Sequence, residues 1–397
     1  MISTSCKVLA QQVLDLCLAG SPPRTLPREL MEDPGGNALF GILAEGLADR
    51  FEPALCNCYA RLFAEAVAHT VEDNDAAPLV ARYMRVRRVR PAIVEPRRVF
   101  VLSRVTLGAD VAVTSVLLAA AKQRFPRAEV LFVGPGKNRE LFLGDLNIHH
   151  APVEYRRGGL RERLAVREEL RNTLSGEDSL VLDSDSRLTQ LGLLPVCAEE
   201  RYHLFESRGY GGEGTQSLPE LAAAWARETL GVEGVKPYVA LGSLPKTEPY
   251  IAVSLGVGEN PAKRLPDPFE AELLKLLAAR GLPLYIDRGA GGEEAARVAR
   301  AAELAKGTAT FWEGSFAGFA SIVAGSRLYV GYDSAGQHVA AAAGAPLISV
   351  FAGFPVPRMF ERWKPVGAQA QVIRVDKPEV ETTLARVEAA LRACFKP

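Results

Sequence analysis

From residue 98 onward the chain alternates short apolar runs with helical patterns, and it does so twice. Arg98-Val-Phe-Val-Leu-Ser103, Glu129-Val-Leu-Phe-Val133 and Ser179-Leu-Val-Leu-Asp183 are continuous apolar stretches of strand length, which suits strands buried on both faces of a parallel sheet. Helical patterns at about 110–124, 160–174 and 218–231 follow in turn. Such alternation predicts right-handed crossover units and a doubly wound sheet. A Gly- and Pro-rich segment, 234–249, reads as a linker. The alternation then resumes, with strands expected at 250–254, 283–286, 309–312, 328–330 and 347–351. Helices are expected at about 267–280, 293–305, 315–324 and 336–343, and a last helix at about 377–394. The fold class is therefore α/β, with two doubly wound sheets whose strands' carboxyl ends should line a ligand-binding cleft.

Residues 1–95 have a different texture. Val8-Leu9-Val13-Leu14-Leu16 and Leu55-Tyr59-Leu62-Phe63-Ala66-Val67 recur at helical spacing, with Pro and Gly breaks at 21–36. We read several helices that pack on the next domain or on a second copy, which leaves a homodimer open. At 397 residues the chain exceeds one compact core. The expected boundaries are a helical extension at 1–95, an α/β domain at 96–235, a second at 236–375 and a terminal helix at 376–397.

Lys and Arg together number 47, as do Asp and Glu, so no overall field attracts nucleic acid. Arg82, Arg85, Arg87, Arg88, Arg90, Arg97 and Arg98 nevertheless crowd one stretch. A solvated interdomain linker is the plain reading; peripheral contact with an anionic membrane or acceptor is the other. The six cysteines are scattered, and Cys56-Asn-Cys58 lacks the two-residue spacer of zinc or redox pairs, so buried reduced thiols are expected. Lys7, Gln11, Gln12 and Asp15 interrupt any signal-peptide core. The expected location is cytoplasmic, at most peripheral to the inner membrane.

The chemistry concentrates at three strand ends. Asp110 starts the helix after the first strand, where a carboxylate serves as a first-turn stabiliser or, at a cleft, as a general base. Gly256-Val-Gly258 lets backbone approach a ligand, and Lys263 and Arg264 follow with charge for a diphosphate. Gly331-Tyr-Asp333-Ser334-Ala335-Gly336-Gln337-His338 leads from a strand into an Ala-rich helix, whose unpaired N–H groups and dipole favour a phosphate. A glutamate at Glu293 or Glu294 opens another helix after Asp287-Arg288 and either caps it or binds ribose. Asp183-Ser184-Asp185 has the oxygens that a divalent cation prefers, but its distance in sequence from the phosphate turn favours a polar strand end or acceptor contact. Arg187 and Gln190 are candidate acceptor contacts. His69, His149, His150 and His203 have no partner at metal-ligand spacing.

The ordered set Arg104…Asp110…Thr114, Gly256-x-Gly258…Lys263-Arg264 and Gly331-x-Asp333-Ser334…His338…Ala342…Gly344-x-Pro346…Phe351 resembles glycosyltransferase family 9, the ADP-heptose:lipopolysaccharide heptosyltransferases. The resemblance covers roughly residues 97–397. It implies a GT-B fold of two Rossmann-like domains, acceptor binding mainly in the first and nucleotide-sugar binding mainly in the second. It also implies inverting transfer without an obligatory metal or cofactor, from an ADP-sugar to a glycan or lipid-linked glycan. Under it Asp110 matches the catalytic base. Lys263, Glu293 (or Glu294), Asp333, Ser334, Ala335, Gly336 and His338 match the donor side, with Gly256, Gly258 and Arg264 beside them. Arg104, Thr114, Asp183, Asp185 and Arg187 would face the acceptor. Ala109 and Ala335 stand where the family usually has glycine, and Leu265 and Ala352 also depart from its pattern. Two rival readings are a GT-B nucleotide-sugar epimerase and a catalytically reduced binding or scaffold protein.

Overall fold

A computed structural model describes residues 4–71, 75–242, 248–258, 260–289, 291–305 and 309–395. The linker residues 243–247 therefore lie outside the described residues. The chain divides into two compact units. The first comprises residues 1–106, 116–139 and 146–236; the second comprises 107–115, 140–145 and 237–397.

The first unit holds a parallel sheet of β1 (Arg98–Leu102), β2 (Glu129–Gly134), β3 (Ile148–Pro152), β4 (Ser179–Asp183) and β5 (Tyr202–Leu204). Its order is β3-β2-β1-β4-β5. β1 and β4 pair in register from Arg98–Ser179 to Leu102–Asp183, and both are almost wholly buried, as their apolar runs require. The helix Leu218–Leu230 begins with a reciprocal capping box between Ser217 and Glu220 and ends on Gly231 at φ +69°.

The N-terminal helices belong to this unit. Thr4–Leu18, Pro53–Thr70 and Ala77–Val86 share one hydrophobic core with the sheet, in which Leu62, Phe63 and Tyr83 lie with Phe100, Leu102, Val181 and Leu204.

The second unit holds β6 (Ile251–Ser254), β7 (Leu284–Asp287), β8 (Ala309–Trp312), β9 (Leu328–Tyr332), β10 (Leu347–Phe351) and β11 (Ala370–Arg374). The order is β11-β10-β9-β6-β7-β8, the doubly wound dinucleotide-fold order read from its far edge. The strand sequence reverses between β6 and β9, and ligands of such sheets bind outside the carboxyl ends at that switch point. Three strands, β3, β5 and β11, escape the sequence reading. All are sheet edges: β5 spans three residues, and β3 ends in proline, which an edge tolerates.

The arginine-rich stretch is a correction. It is neither a solvated linker nor a bare cationic face, because much of it ties the N-terminal helices to the sheet. Arg82 is buried, donates to the Gly192 carbonyl and lies over the Tyr202 ring. Arg85 pairs with Glu199 at 2.7 Å, Arg87 with Glu206 at 2.7 Å, and Arg90 reaches the Glu199 and Tyr202 carbonyls. Among the described residues no helix is long and apolar enough to cross a membrane.

Candidate active site

Tyr329 of β9 positions the phosphate turn. Its ring is fully buried and its hydroxyl lies beneath the start of the next helix. A Cβ on Gly331 would fall 2.5 Å from that hydroxyl, and one on Gly336 would fall 2.3 Å from it. Neither site has room for a side chain, so the helix Ala335–Ala343 starts hard against the sheet end. Ser334 is its N-cap in extended geometry, and its hydroxyl makes no capping bond. The cap side chain therefore leaves the first-turn N–H groups to a ligand. Gly344, at φ +74°, ends this helix.

Asp333 is buried and gripped from two directions. Lys263 Nζ lies 2.7 Å from its Oδ2, and Gln337 Nε2 donates to its Oδ1 at 2.5 Å. Gln337 is itself fully buried, accepts from the Ser349 hydroxyl and donates to the Trp363 carbonyl. Sequence reading passed over Gln337 and Ser349. The i,i+4 spacing of Asp333 and Gln337 on a helix start is the signal that could have found the first; Ser349 depends on the neighbouring strand. Gly353 was also missed. A Cβ there would lie 2.6 Å from the Lys263 backbone nitrogen, so this glycine lets the lysine's loop settle against the end of β10.

Replacing Gln337 with leucine would leave the Asp333 carboxylate and the Ser349 hydroxyl each short of a buried partner. At about 1–3 kcal/mol per orphaned group, we expect Gln337→Leu to lose about 2–5 kcal/mol in urea unfolding. A loss under 0.5 kcal/mol would show that the network is solvated.

His338 is buried beside this pair, edge-on to Trp363 at 5.9 Å between ring centroids. Burial pushes its pKa down to about 4, with Asp333 pulling it up and Lys263 down. The imidazole is thus a neutral donor or acceptor at neutral pH. Because its folded value lies below the unfolded one of about 6.5, its contribution to stability is present above pH 6.5 and lost as pH falls toward 4. His338→Asn should flatten the stability slope in that window by up to about 1.4 kcal/mol per pH unit, measured by urea titration at stepped pH. Parallel slopes would contradict the neutral state.

The structure separates the two donor-side glutamates and gives Arg264 its partners. Glu294, not Glu293, turns into the loops: a Cβ on Gly256 would lie 2.5 Å from Glu294 Oε1, and one on Gly289 would lie 2.6 Å from its carboxyl carbon. Glu293 is exposed, because consecutive helical positions point about 100° apart. Arg264 is committed to carboxylates of the neighbouring stretch. Its guanidinium pairs with Asp267 and with Glu270 at 3.2 Å, and Arg297 joins the same Glu270. Gly258 takes φ +61° in an exposed stretch.

Asp110 belongs to the same unit as the phosphate turn. The segment Leu107–Ser115 is grouped there, and a Cβ on Gly108 would fall 3.1 Å from Ala335 Cα and 3.2 Å from His338 Cδ2. Glycine at 108 thus permits close approach to Ala335, the position where the methyl group departs from the usual pattern. The helix starts at Leu107, earlier than expected, and widens to π geometry over Asp110–Thr114. Asp110 is fully buried, and Thr114 donates to its Oδ1 at 2.6 Å.

Residues 195–389 match the model of glycosyltransferase family 9 (heptosyltransferase). These residues carry a glycosyltransferase family 9 domain. The matched span contains Gly256, Lys263, Glu294 and Asp333 to His338, and begins after Asp110, which lies outside it. Solved structures of similar fold include the E. coli heptosyltransferase WaaC with ADP, at 21% identity and TM-score 0.56 over 75% of this chain and 99% of that one. Another is E. coli ADP-heptose lps heptosyltransferase II, at 20% identity and TM-score 0.52 over 75% and 98%. A third is the family 9 glycosyl transferase from Veillonella parvula, at 14% identity and TM-score 0.54 over 76% and 90%. The fold is GT-B. No curated protein matches the chain in sequence.

Amino-terminal to this domain, several residues expected to face an acceptor are committed internally. Asp183 is fully buried, accepts from the Thr189 hydroxyl at 2.5 Å, the Tyr202 hydroxyl at 2.5 Å and the Ser186 N–H at 2.7 Å, and burial pushes its carboxyl upward. Asp185 is equally buried and meets Arg208 at 3.0 Å and the Ser207 hydroxyl at 2.8 Å. Both carboxylates hold the loop after β4, so of the two expected roles, polar strand end and acceptor contact, the structure shows the first. Among the described residues no group of three or more His, Cys, Asp or Glu is arranged to hold a metal. Thr114 is buried with its hydroxyl on Asp110, so it positions the base candidate. Arg187 pairs with Glu45 at 2.9 Å. Arg104 donates to the Ser184 carbonyl and, at 2.8 Å, to the Ser207 hydroxyl.

The N-terminal helices hold this loop from behind. Asp185, Gln190 and Leu191 all have positive φ, which costs non-glycine residues about 1–3 kcal/mol each unless the surroundings hold them. From those helices Tyr59 donates to the Gln190 carbonyl and Arg82 to that of Gly192, and Arg208, after β5, donates to that of Leu191.

Proposed function

We propose that the protein transfers a heptose-like sugar from an ADP-linked donor to a hydroxyl of a glycan or lipid-linked glycan, with inversion. The observation that carries this reading is the packing of the Asp110 turn against the start of helix Ala335–Ala343, beside the Lys263–Asp333–Gln337 cluster. Asp110 takes the acceptor proton as the hydroxyl attacks the anomeric carbon. The bond from that carbon to the diphosphate oxygen breaks, and negative charge collects on the leaving diphosphate. Lys263 and the N–H groups of residues 335–337 are fixed donors for that charge. Asp333 holds the sugar side and Glu294 the ribose hydroxyls. The ADP bound in the similar E. coli enzyme supports adenine as the first base to test.

The test is coupled detection of ADP release from ADP-heptose with a lipopolysaccharide-core acceptor, together with calorimetric titration of ADP. Acceptor-dependent release supports transfer. Donor consumption without acceptor would favour an epimerase or hydrolase, and tight ADP binding without turnover over an acceptor panel would favour a reduced binding protein. Within the same titration, Glu294→Ala should weaken ADP about tenfold, the effect of about 1.4 kcal/mol expected for a charge-assisted hydrogen bond. Glu293→Ala should leave it unchanged. The reverse pattern would move the ribose contact to Glu293.

A further inference from the structure

A second cationic cavity lies in the first unit, away from the carboxyl ends of its strands. It has a volume of about 350 Å³ and is lined by Arg167, Arg171 and Arg201 around Ser175, Pro195, Cys197 and Ala198, with Leu174 and Val196 buried beneath. Ser175 precedes β4, which begins at Ser179, and Arg201 precedes β5, which begins at Tyr202. The cavity therefore opens at the amino ends of these strands, opposite the ends that bear Asp183 and the loop after it.

No carboxylate lines this cavity. The nearest recorded pairing is loose, Arg171 to Glu168 at 3.8 Å. Arg167 Nε is buried and has no hydrogen-bond partner among the described residues. Arg201 is anchored by the Gly176 carbonyl and the Ser179 hydroxyl, which fixes one edge of the site. The Cys197 thiol adds no negative charge at neutral pH. Burial pushes it up to about 11, with Arg201 and Arg82 pulling it down and Asp183 and Glu200 pushing it up. Three arginines around a partly open hollow form a site suited to an anion, since guanidinium forks match phosphate oxygens and are more weakly hydrated than an ammonium. The volume falls in the range of small-molecule sites.

We propose that this cavity binds a phosphomonoester of sugar-phosphate size, at a place separate from the family 9 donor site. The dianion sits among Arg167, Arg171 and Arg201, the Ser175 hydroxyl donates to it, and the body of the ligand rests against Pro195 and Ala198. The proposal does not depend on the transfer reaction.

The test is calorimetric titration of the full chain with inorganic phosphate and with glucose 6-phosphate at fixed ionic strength, with ADP saturating so that the donor site is filled. Saturable binding is expected, tighter for the sugar phosphate. Arg167→Gln/Arg171→Gln should weaken it at least tenfold with an unchanged melting temperature. Arg300→Gln/Lys377→Gln, which removes equal charge from exposed positions, should not weaken it. Absence of saturable binding, or equal loss in both double variants, would overturn the proposal. So would binding to phosphatidylglycerol vesicles with none to either soluble phosphate, which would mark a membrane-facing patch instead.

Discussion

Asp110→Asn will abolish transfer while leaving ADP affinity and melting temperature at their wild-type values. The side chain is fully buried and its Oδ1 accepts from Thr114 at 2.6 Å. An amide oxygen can take the same bond, so the packing survives the substitution. The amide cannot accept the proton of an attacking hydroxyl, and general-base catalysis contributes about 10²–10⁴-fold. We expect kcat to fall within or beyond that range with KM for the donor little changed. Thr114→Val, which removes only the orienting hydroxyl, should cost about tenfold or less, because the base remains and merely turns more freely. Wild-type turnover in Asp110→Asn would remove Asp110 from the base role.

Lys263→Ala will have the largest effect on donor binding, and it will do so through two separable losses. The first is a charge-assisted contact to the diphosphate, worth about 1.5–3 kcal/mol, or about ten- to a hundredfold in ADP affinity. The second concerns the protein without ligand. Asp333 is buried, and Lys263 at 2.7 Å is its cationic partner. A buried carboxylate stripped of its partner can cost about 3–5 kcal/mol. Here the cost should be lower, because Gln337 still donates to Asp333 and the Lys263 side chain is 19% exposed. Adding Asp333→Asn to Lys263→Ala should therefore restore melting temperature without restoring ADP affinity, and the double-mutant cycle measures the coupling directly. ADP affinity unchanged in Lys263→Ala would place the diphosphate elsewhere.

Much of the second unit was legible because its signals are local. Continuous apolar runs mark β6, β9 and β10, and the small residues between Asp333 and His338 mark a tight strand-to-helix turn whatever surrounds it. The glycines were legible as glycines but not as to cause. Gly331 and Gly336 are fixed by one buried tyrosine hydroxyl, and Gly353 by the backbone of a loop about ninety residues earlier. The acceptor-side residues were read least well. Asp183, Asp185 and Arg187 look like ligand contacts in a sequence because charged side chains at a strand end usually face solvent. Here Tyr202, Arg208 and Glu45, all remote in sequence from this loop or on another element, take up their charges.

The sequence by itself determined the α/β class, the doubling of the sheet and the candidate phosphate turn, since each rests on periodicity or on chemistry within a few residues. Tertiary structure decided which charges remain for a ligand. A carboxylate or guanidinium becomes structural or functional according to the partner that reaches it in the buried interior, where an unpaired charge is costly. Arg264 went to Glu270, Arg82 and Arg87 went to partners in the first unit's loops, and Lys263 stayed with Asp333 at the phosphate turn.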